Sequence, residues 1–399
     1  MGLIGLIVGL TMIGLVVPRA VQAILDPILL CAWATLMAVT LTSARARGVV
    51  ATTVVTQWPS ALLFAGFLAW LGYQMATAAN PAAALAGGQM TLLTLAGLAL
   101  AALVAAAATA RNGPTAMLNA LLIGACAAGL LTLFRQNLNP ENPVPAAGLA
   151  VLFVVSVFAA IASLRRSNTA ASPDTVGRAR RMFLPVSAVL CCAVGLASVQ
   201  QSANLAAAVV GAAGTAAVYA TRLRNPRRTQ AWAIAGAAIV LLLGFYGLVW
   251  LATNAPQHFT NPATAGALAL WSQNMLHGLG LNALSTDPFT QDAPAGVQLL
   301  VEAGVVGACL LGTTGLLFFL TTIVANASDA RPAAGGALCA GVILASSISA
   351  LQLSDLSQAP QALAVAVILG VAASYTERKK ATTGMRASLQ LATPGTHRL

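Results

Sequence analysis

Very few residues in this chain can do chemistry. Among 399 residues there are nine acidic side chains and three histidines. Glu302 stands in QLLVEAGVVGACLLG (Gln298 to Gly312), a carboxylate in an otherwise apolar run. His258 and His277 share one long polar segment with Asp287 and Asp292, and His397 lies near the C-terminus. Imidazole titrates near neutral pH, so His258 or His277 suits general-base work on a hydroxyl, with Asp292 and Asp287 as alternatives. Arg135 and Arg19 present planar, multi-donor guanidinium groups of the kind that grip phosphate oxygens. Each residue also has a plainer reading. Glu302 in the first two turns of a helix favours the positive end of its dipole, Arg135 at a span end snorkels to headgroups, Arg19 is balanced by Asp26, and the histidines and aspartates are solvated loop residues.

The elements that must position these groups are membrane helices. Hydrophobic residues make up 58% of the chain, charged residues 7%, and the mean hydropathy is +0.84, against roughly 25% charged residues in a soluble domain. In hydrocarbon every backbone amide must bond within its own helix or a closed barrel. The apolar runs do not alternate with period two, so they read as helices. About twelve are expected, opening near Gly2, Pro27, Trp58, Gly88, Pro114, Ala146, Met182, Ala203, Gln230, Gly296, Gly335 and Gln361. The first lacks a basic leader and reads as a retained helix.

The net charge of +11 does not point to nucleic acid, because the cations are segregated. With the connections numbered in order, Arg19 and Arg135 alone among the 20 basic residues fall on one side. That asymmetry predicts both termini in the cytoplasm, with the other basic residues orienting the chain and touching anionic membrane lipids. The expected organisation is a transmembrane domain over 1–376, carrying a long periplasmic loop at 253–295, and a basic cytoplasmic tail at 377–399.

Within the long loop, AGALALWSQNMLHGLGLNAL has the periodicity of a short interfacial helix. The other outer connection, RQNLNPENPVP (Arg135 to Pro145), reads as rigid and polar. All six cysteines fall inside expected helices, with neither a disulfide framework nor a metal-binding spacing, and read as small buried hydrophobes. The spans are rich in Ala and Gly, which favours close helix packing.

One succession carries a family resemblance: Trp271 in an amphipathic stretch, then GLGLNAL (Gly278 to Leu284), a polar loop, and QLLVEAGVVGACLLG. It resembles the periplasmic loop and following helix of the bacterial O-antigen ligase and polymerase superfamily of membrane glycosyltransferases, over about 40 residues, with Gln298, Glu302, Gly304 and Gly307 the most specific matches. In that family a histidine precedes the glutamine and an arginine precedes the tryptophan. Here the corresponding stretches hold Asp292-Ala293-Pro294 and Ala267.

The resemblance implies an all-α polytopic inner-membrane protein of GT-C-like architecture, metal-independent and without a cofactor. It would transfer or polymerise a polyprenyl-pyrophosphate-linked glycan onto a lipid or glycan hydroxyl at the periplasmic face. Under it Asp292 or His277 is the base, Glu302 holds the loop, and Arg135 grips the pyrophosphate. Arg19, Gln298, His258 and Trp271 complete the substrate contacts. The alternative is a non-catalytic relative, or a lipid-glycan flippase or transporter, acting in envelope glycan assembly.

Overall fold

The computed structural model describes residues 2–15, 19–77, 81–112, 114–138, 146–169, 175–199, 201–224, 231–236, 262–281, 293–325, 334–352 and 360–374, with 239–240 and 247. Among them there is no strand. In chain order the helices are α1 (Gly2–Gly14), α2 (Arg19–Thr42), α3 (Ala44–Thr56), α4 (Trp58–Thr77), α5 (Pro81–Asn112), α6 (Pro114–Leu138), α7 (Ala147–Thr169), α8 (Thr175–Val199) and α9 (Ser202–Arg224). There follow α10 (Pro262–Trp271), α11 (Ala295–Ala325), α12 (Ala334–Gln352) and α13 (Pro360–Ser374). Eight are long and apolar enough to cross a membrane, in α2, α4 to α9 and α11. The chain is a polytopic helical membrane protein. The tail at 377–399, the expected helix start at Gln230 and the loop portions 253–261 and 282–292 lie outside the described residues.

Serine and threonine survive in these apolar helices by bonding back onto their own turns. Thr109 Oγ1 donates to Ala105 O (2.6 Å), Thr132 to Ala128 O (2.8 Å) and Ser156 to Leu152 O (2.8 Å), which satisfies these hydroxyls within their own helices. Small residues set the packing. Gly341 of α12 meets Gly211 of α9 so closely that a Cβ on Gly341 would stand 2.7 Å from Gly211 O and 2.8 Å from Val154 of α7. Between membrane helices the gain comes from such contact. The main core joins α1, α2, α5 to α9, α12 and α13 through residues such as Trp33, Phe158 and Val367.

The sequence expectations differ from the fold at several places, among them the helix expected near Met182, which begins at Thr175. The second helix opens at Arg19 and carries Pro27 inside it, so Asp26 lies within a helix turn and not ahead of one. Its Oδ1 is buried and has no hydrogen-bond partner among the described residues. The basic connection holding Arg45 and Arg47 is itself helical, α3. It runs almost directly into α4, because Gln57 N donates to Thr53 O and Ala61 N to Gln57 O, both at 2.9 Å. The fifth helix starts at Pro81, a turn or two before Gly88. All six cysteines are free, but only Cys192 and Cys339 are buried, and Cys31 and Cys309 are exposed.

The helix pair that carries the site is α4 against α11, antiparallel. At one end Gln57, 5% exposed, donates through Nε2 to Thr322 Oγ1 (3.2 Å) and accepts from Thr321 Oγ1. At the other end Gln74 donates to Ala303 O (3.4 Å) and to His277 O. From Gln57 to Gln74 the helix rises about 25 Å, close to the ~30 Å thickness of a hydrocarbon core. The two buried amides therefore stand nearly one hydrocarbon thickness apart, at opposite ends of α4, and α3 extends beyond the Gln57 end.

Candidate functional site

On α4 the residues Trp70, Tyr73, Gln74 and Thr77 follow the i, i+3, i+4, i+7 spacing that puts side chains on one face. Facing them, α11 is not continuous. Gly304 has φ 68° and ψ −176°, which breaks the helix into an upper piece ending at Ala303 and a lower one starting at Val305. From Gly304 to Ala325 the lower piece is about 30 Å long, enough to cross the core by itself. Crossing therefore does not require the upper piece, Ala295 to Ala303. That is the physical place of Glu302.

A break in a membrane helix strands backbone groups, and each must find a partner. In an unbroken helix the amides of Val305, Val306 and Gly307 would bond to the carbonyls of Val301, Glu302 and Ala303. Here the segment after α10 takes over. Leu279 N donates to Val301 O (2.8 Å) and Gly280 N to Glu302 O (3.0 Å). Val305 N donates to Met275 O (3.0 Å) and Val306 N to Leu276 O (3.4 Å). Ala303 O receives the Trp70 indole N–H (2.9 Å) along with Gln74 Nε2. The loop and two side chains of α4 thus replace one turn of helix hydrogen bonds.

Glycine makes the docking possible at both faces of the contact. Gly278 has φ 74°, and a Cβ there would stand 2.5 Å from Glu302 O and from Gly304 N. A Cβ on Gly304 would stand 2.6 Å from Gly278 N. Both obstacles are backbone, which cannot rotate aside. The glycine-rich loop and the glycine of the following helix, separate in the sequence, are in van der Waals contact.

Two small apolar clusters hold the loop from either side. Trp271, 1% exposed, packs with Ala267, Leu268, Ala293, Leu300 and Val301, and its indole N–H donates to Met275 O (3.1 Å). Leu281 and Ala303 pack with Phe67, Leu71 and Met75 of α4. The helix expected to run through the glycines instead ends at Trp271, and Gly278 and Gly280 beyond it take positive φ. Its apolar periodicity continues beyond the helix as docking contacts.

The structure brings four of the sequence-predicted residues together. His277 is exposed, its imidazole stacked on Trp70 with centroids 5.5 Å apart. Glu302 is half-buried beside the break. It lies in the last turn of the upper piece and not in the first two turns of α11, so the nearest helix end is a C-terminal one, whose dipole does not favour a carboxylate. Gln298 Nε2 donates to Ala293 O (2.9 Å), fastening the first turn of α11. Trp271 is the floor of the loop.

Arg135 is half-buried in the last turn of α6. The alternation α4–α5–α6 puts it at the same end of the bundle, though α6 packs chiefly on α8, α1 and α7 while α4 and α11 pack on each other. Arg19 opens α2, with its side chain outside the described set. Asp292, Asp287 and His258 also lie outside the described residues. Trp70, Tyr73, Gln74 and Thr77 were not expected to belong here. Tyr73 stacks on Trp70 (5.7 Å), so three rings stand in a row, Tyr73–Trp70–His277. Beside them opens a cavity of about 240 Å³ lined by Tyr73, Gln74, Thr77, His277, Gly278, Leu279 and Gly280.

Neither a family model nor a curated protein matches this chain.

Proposed function

We propose that this protein transfers or polymerises a polyprenyl-pyrophosphate-linked glycan onto a hydroxyl acceptor at the periplasmic face of a bacterial inner membrane, as a divergent O-antigen ligase- or polymerase-like enzyme with about twelve spans and GT-C-like architecture. The observation that carries the reading is the docking of the glycine loop into the break of α11. It joins the two stretches in which the resemblance resides, and it leaves His277, Glu302 and an open cavity at one end of the α4–α11 pair, which this reading puts at the periplasmic boundary. A substrate with a lipid tail and a water-soluble head requires a site at that depth. In this reading His277 or Asp292 takes the acceptor proton, Glu302 holds the loop, and Arg135 balances the pyrophosphate as it leaves. Stabilising that developing charge is the main electrostatic task.

A broken helix is also a device of transporters, which keeps a lipid-glycan flippase as the second reading. One experiment separates them. Purified protein in nanodiscs is given a polyprenyl-pyrophosphate glycan and an acceptor, and product is followed by mass. A positioned base contributes about 10²–10⁴-fold, so Asp292→Asn or His277→Gln should lower transfer by that order, Asp292→Asn more. Translocation without transfer by the unaltered protein would establish the flippase. Transfer unchanged in both variants would remove loop general-base catalysis.

A further inference from the structure

His277 is exposed, yet α4 holds it at both ends. Its carbonyl accepts from Gln74 Nε2, and its imidazole lies on the Trp70 indole, with centroids 5.5 Å apart and the ring planes 24° from parallel. Trp70 and Gln74 are one helical turn apart, so both project from the same face of α4. The backbone on either side of His277 is pinned too. Leu276 O accepts from Val306 N (3.4 Å), and Gly278 N donates to Asn274 O (2.8 Å). An exposed side chain fixed in this way gives up rotamer freedom that it would otherwise keep.

The indole that carries the imidazole is itself fixed. Trp70 is half-buried, its N–H donates to Ala303 O (2.9 Å), and Tyr73 stacks on it at 5.7 Å. The side chain therefore serves two separate ends, its N–H fastening the break in α11 and its face holding the imidazole. A stacked ring keeps its edge clear of its partner, and both imidazole nitrogens lie on that edge. Among the described residues the imidazole makes no hydrogen bond. A general base needs a nitrogen open to the proton it takes, and it must be held where that proton arrives. Taking the proton makes the imidazole a cation, and a cation over an indole face is stabilised by the π electrons of the ring.

We infer that Trp70 is the positioning residue of His277, fixing where its imidazole meets the acceptor proton and steadying the imidazolium that results. The inference rests on the glycan reading above, in which His277 is one of two groups named to take that proton. In that reaction the acceptor oxygen bonds to the anomeric carbon and its proton passes to an imidazole nitrogen. The polyprenyl pyrophosphate leaves with the bonding pair. Trp70 acts through His277 and not on the substrate.

The test follows transfer by the full chain in nanodiscs as kcat and KM. Trp70→Phe keeps a ring for the imidazole and loses the N–H, whereas Trp70→Leu loses both. Any loosening of the break is therefore common to the two variants, and only the ring separates them. Trp70→Phe should stay within about threefold of the unaltered kcat, because phenylalanine still offers a π face. Trp70→Leu should lower kcat by about tenfold or more through the misplaced base, with KM nearly unchanged. Added to His277→Gln, Trp70→Leu should cost nothing further, since the two act as one unit. If Trp70→Leu melts early, Trp70→Met, which fills more of the indole's space without a ring, takes its place. Equal kcat in the Phe and Leu variants, a loss confined to KM, losses that multiply in the double variant, or a silent His277→Gln would each overturn the inference. Tryptophan fluorescence reads the pair without any transfer. An imidazolium in contact with an indole quenches it, so acidification through the imidazole range should dim the unaltered protein more than His277→Gln. Equal dimming in the two would also overturn the inference. Dimming that depends on His277, in a protein that transfers no glycan, would uphold the pair and sink the transferase reading. Transfer indifferent to Trp70→Leu would do the reverse.

Discussion

Replacing Gly304 by alanine should release the loop. Alanine at φ 68°, ψ −176° costs about 1–3 kcal/mol of backbone strain. The new Cβ would also stand 2.6 Å from Gly278 N and from the His277 carbonyl carbon, both part of the loop backbone. The chain escapes by making α11 continuous. Val305 and Val306 then recover helical partners, while Leu279 and Gly280 lose theirs and turn to water. Their hydrogen bonds, about 1 kcal/mol each, are offset by those Val305 and Val306 recover, so the strain of about 1–3 kcal/mol sets the bias toward release. At 1.36 kcal/mol per tenfold, amide exchange at Leu279 and Gly280 should speed up by roughly 5- to 160-fold, with little change along α9 and α12. Gly312→Ala is the matched control. It lies in the same helix with nothing within 4 Å of a Cβ, and it should be neutral or gain up to about 1 kcal/mol. Equal exchange at Leu279 in the two variants would refute the docking account.

Two further outcomes follow from other parts of the fold. Gly341→Ala, pressed against Gly211 O and Val154, should destabilise the α9–α12 pair by about 1–3 kcal/mol, read as a lower melting temperature in detergent, whereas Gly9→Ala, with open space around it, should be silent. If Arg135 balances a pyrophosphate, Arg135→Ala should lower transfer more than Arg135→Lys, since lysine keeps the charge and loses the fork; equal, small effects on a folded protein would remove it from the site.

The spans were legible because a bilayer leaves the chain so little choice. Runs of Leu, Ala and Val long enough to cross announce themselves, and the expected starts at Trp58, Pro114, Ala146, Ala203 and Gly296 fall within a residue of helix starts. Pro27 misled as a start because proline opens helices in water, whereas neighbouring helices let it sit inside a membrane helix. The α3 segment was read as a connection because ARARGVVATTVVT mixes charge with β-branched residues.

The site was half legible. Glu302, Gln298 and the glycines of GLGL stood out, and the structure gathers them. The break did not, since Gly304 is one of 35 glycines and its torsion is set by the partner strand of loop, not by its own neighbours. The stripe Trp70, Tyr73, Gln74, Thr77 was readable by spacing. Aromatic residues near a span end, however, are ordinary interface anchors, and only the stacking on His277 and the carbonyl of Ala303 distinguishes them.

The account depends on the loop–break unit facing the periplasm. Gln273, exposed in the turn after α10, is the place to test it, whereas Thr264 of α10 is buried and would escape any reagent. In a background stripped of the six native cysteines, Gln273→Cys in intact cells should react with a membrane-impermeant maleimide. Arg47→Cys, at the start of α3 among the segregated basic residues, should react only after the inner membrane is opened. The reverse pattern, with Gln273→Cys protected until the membrane is breached, would put the site in the cytoplasm and contradict the proposed reaction.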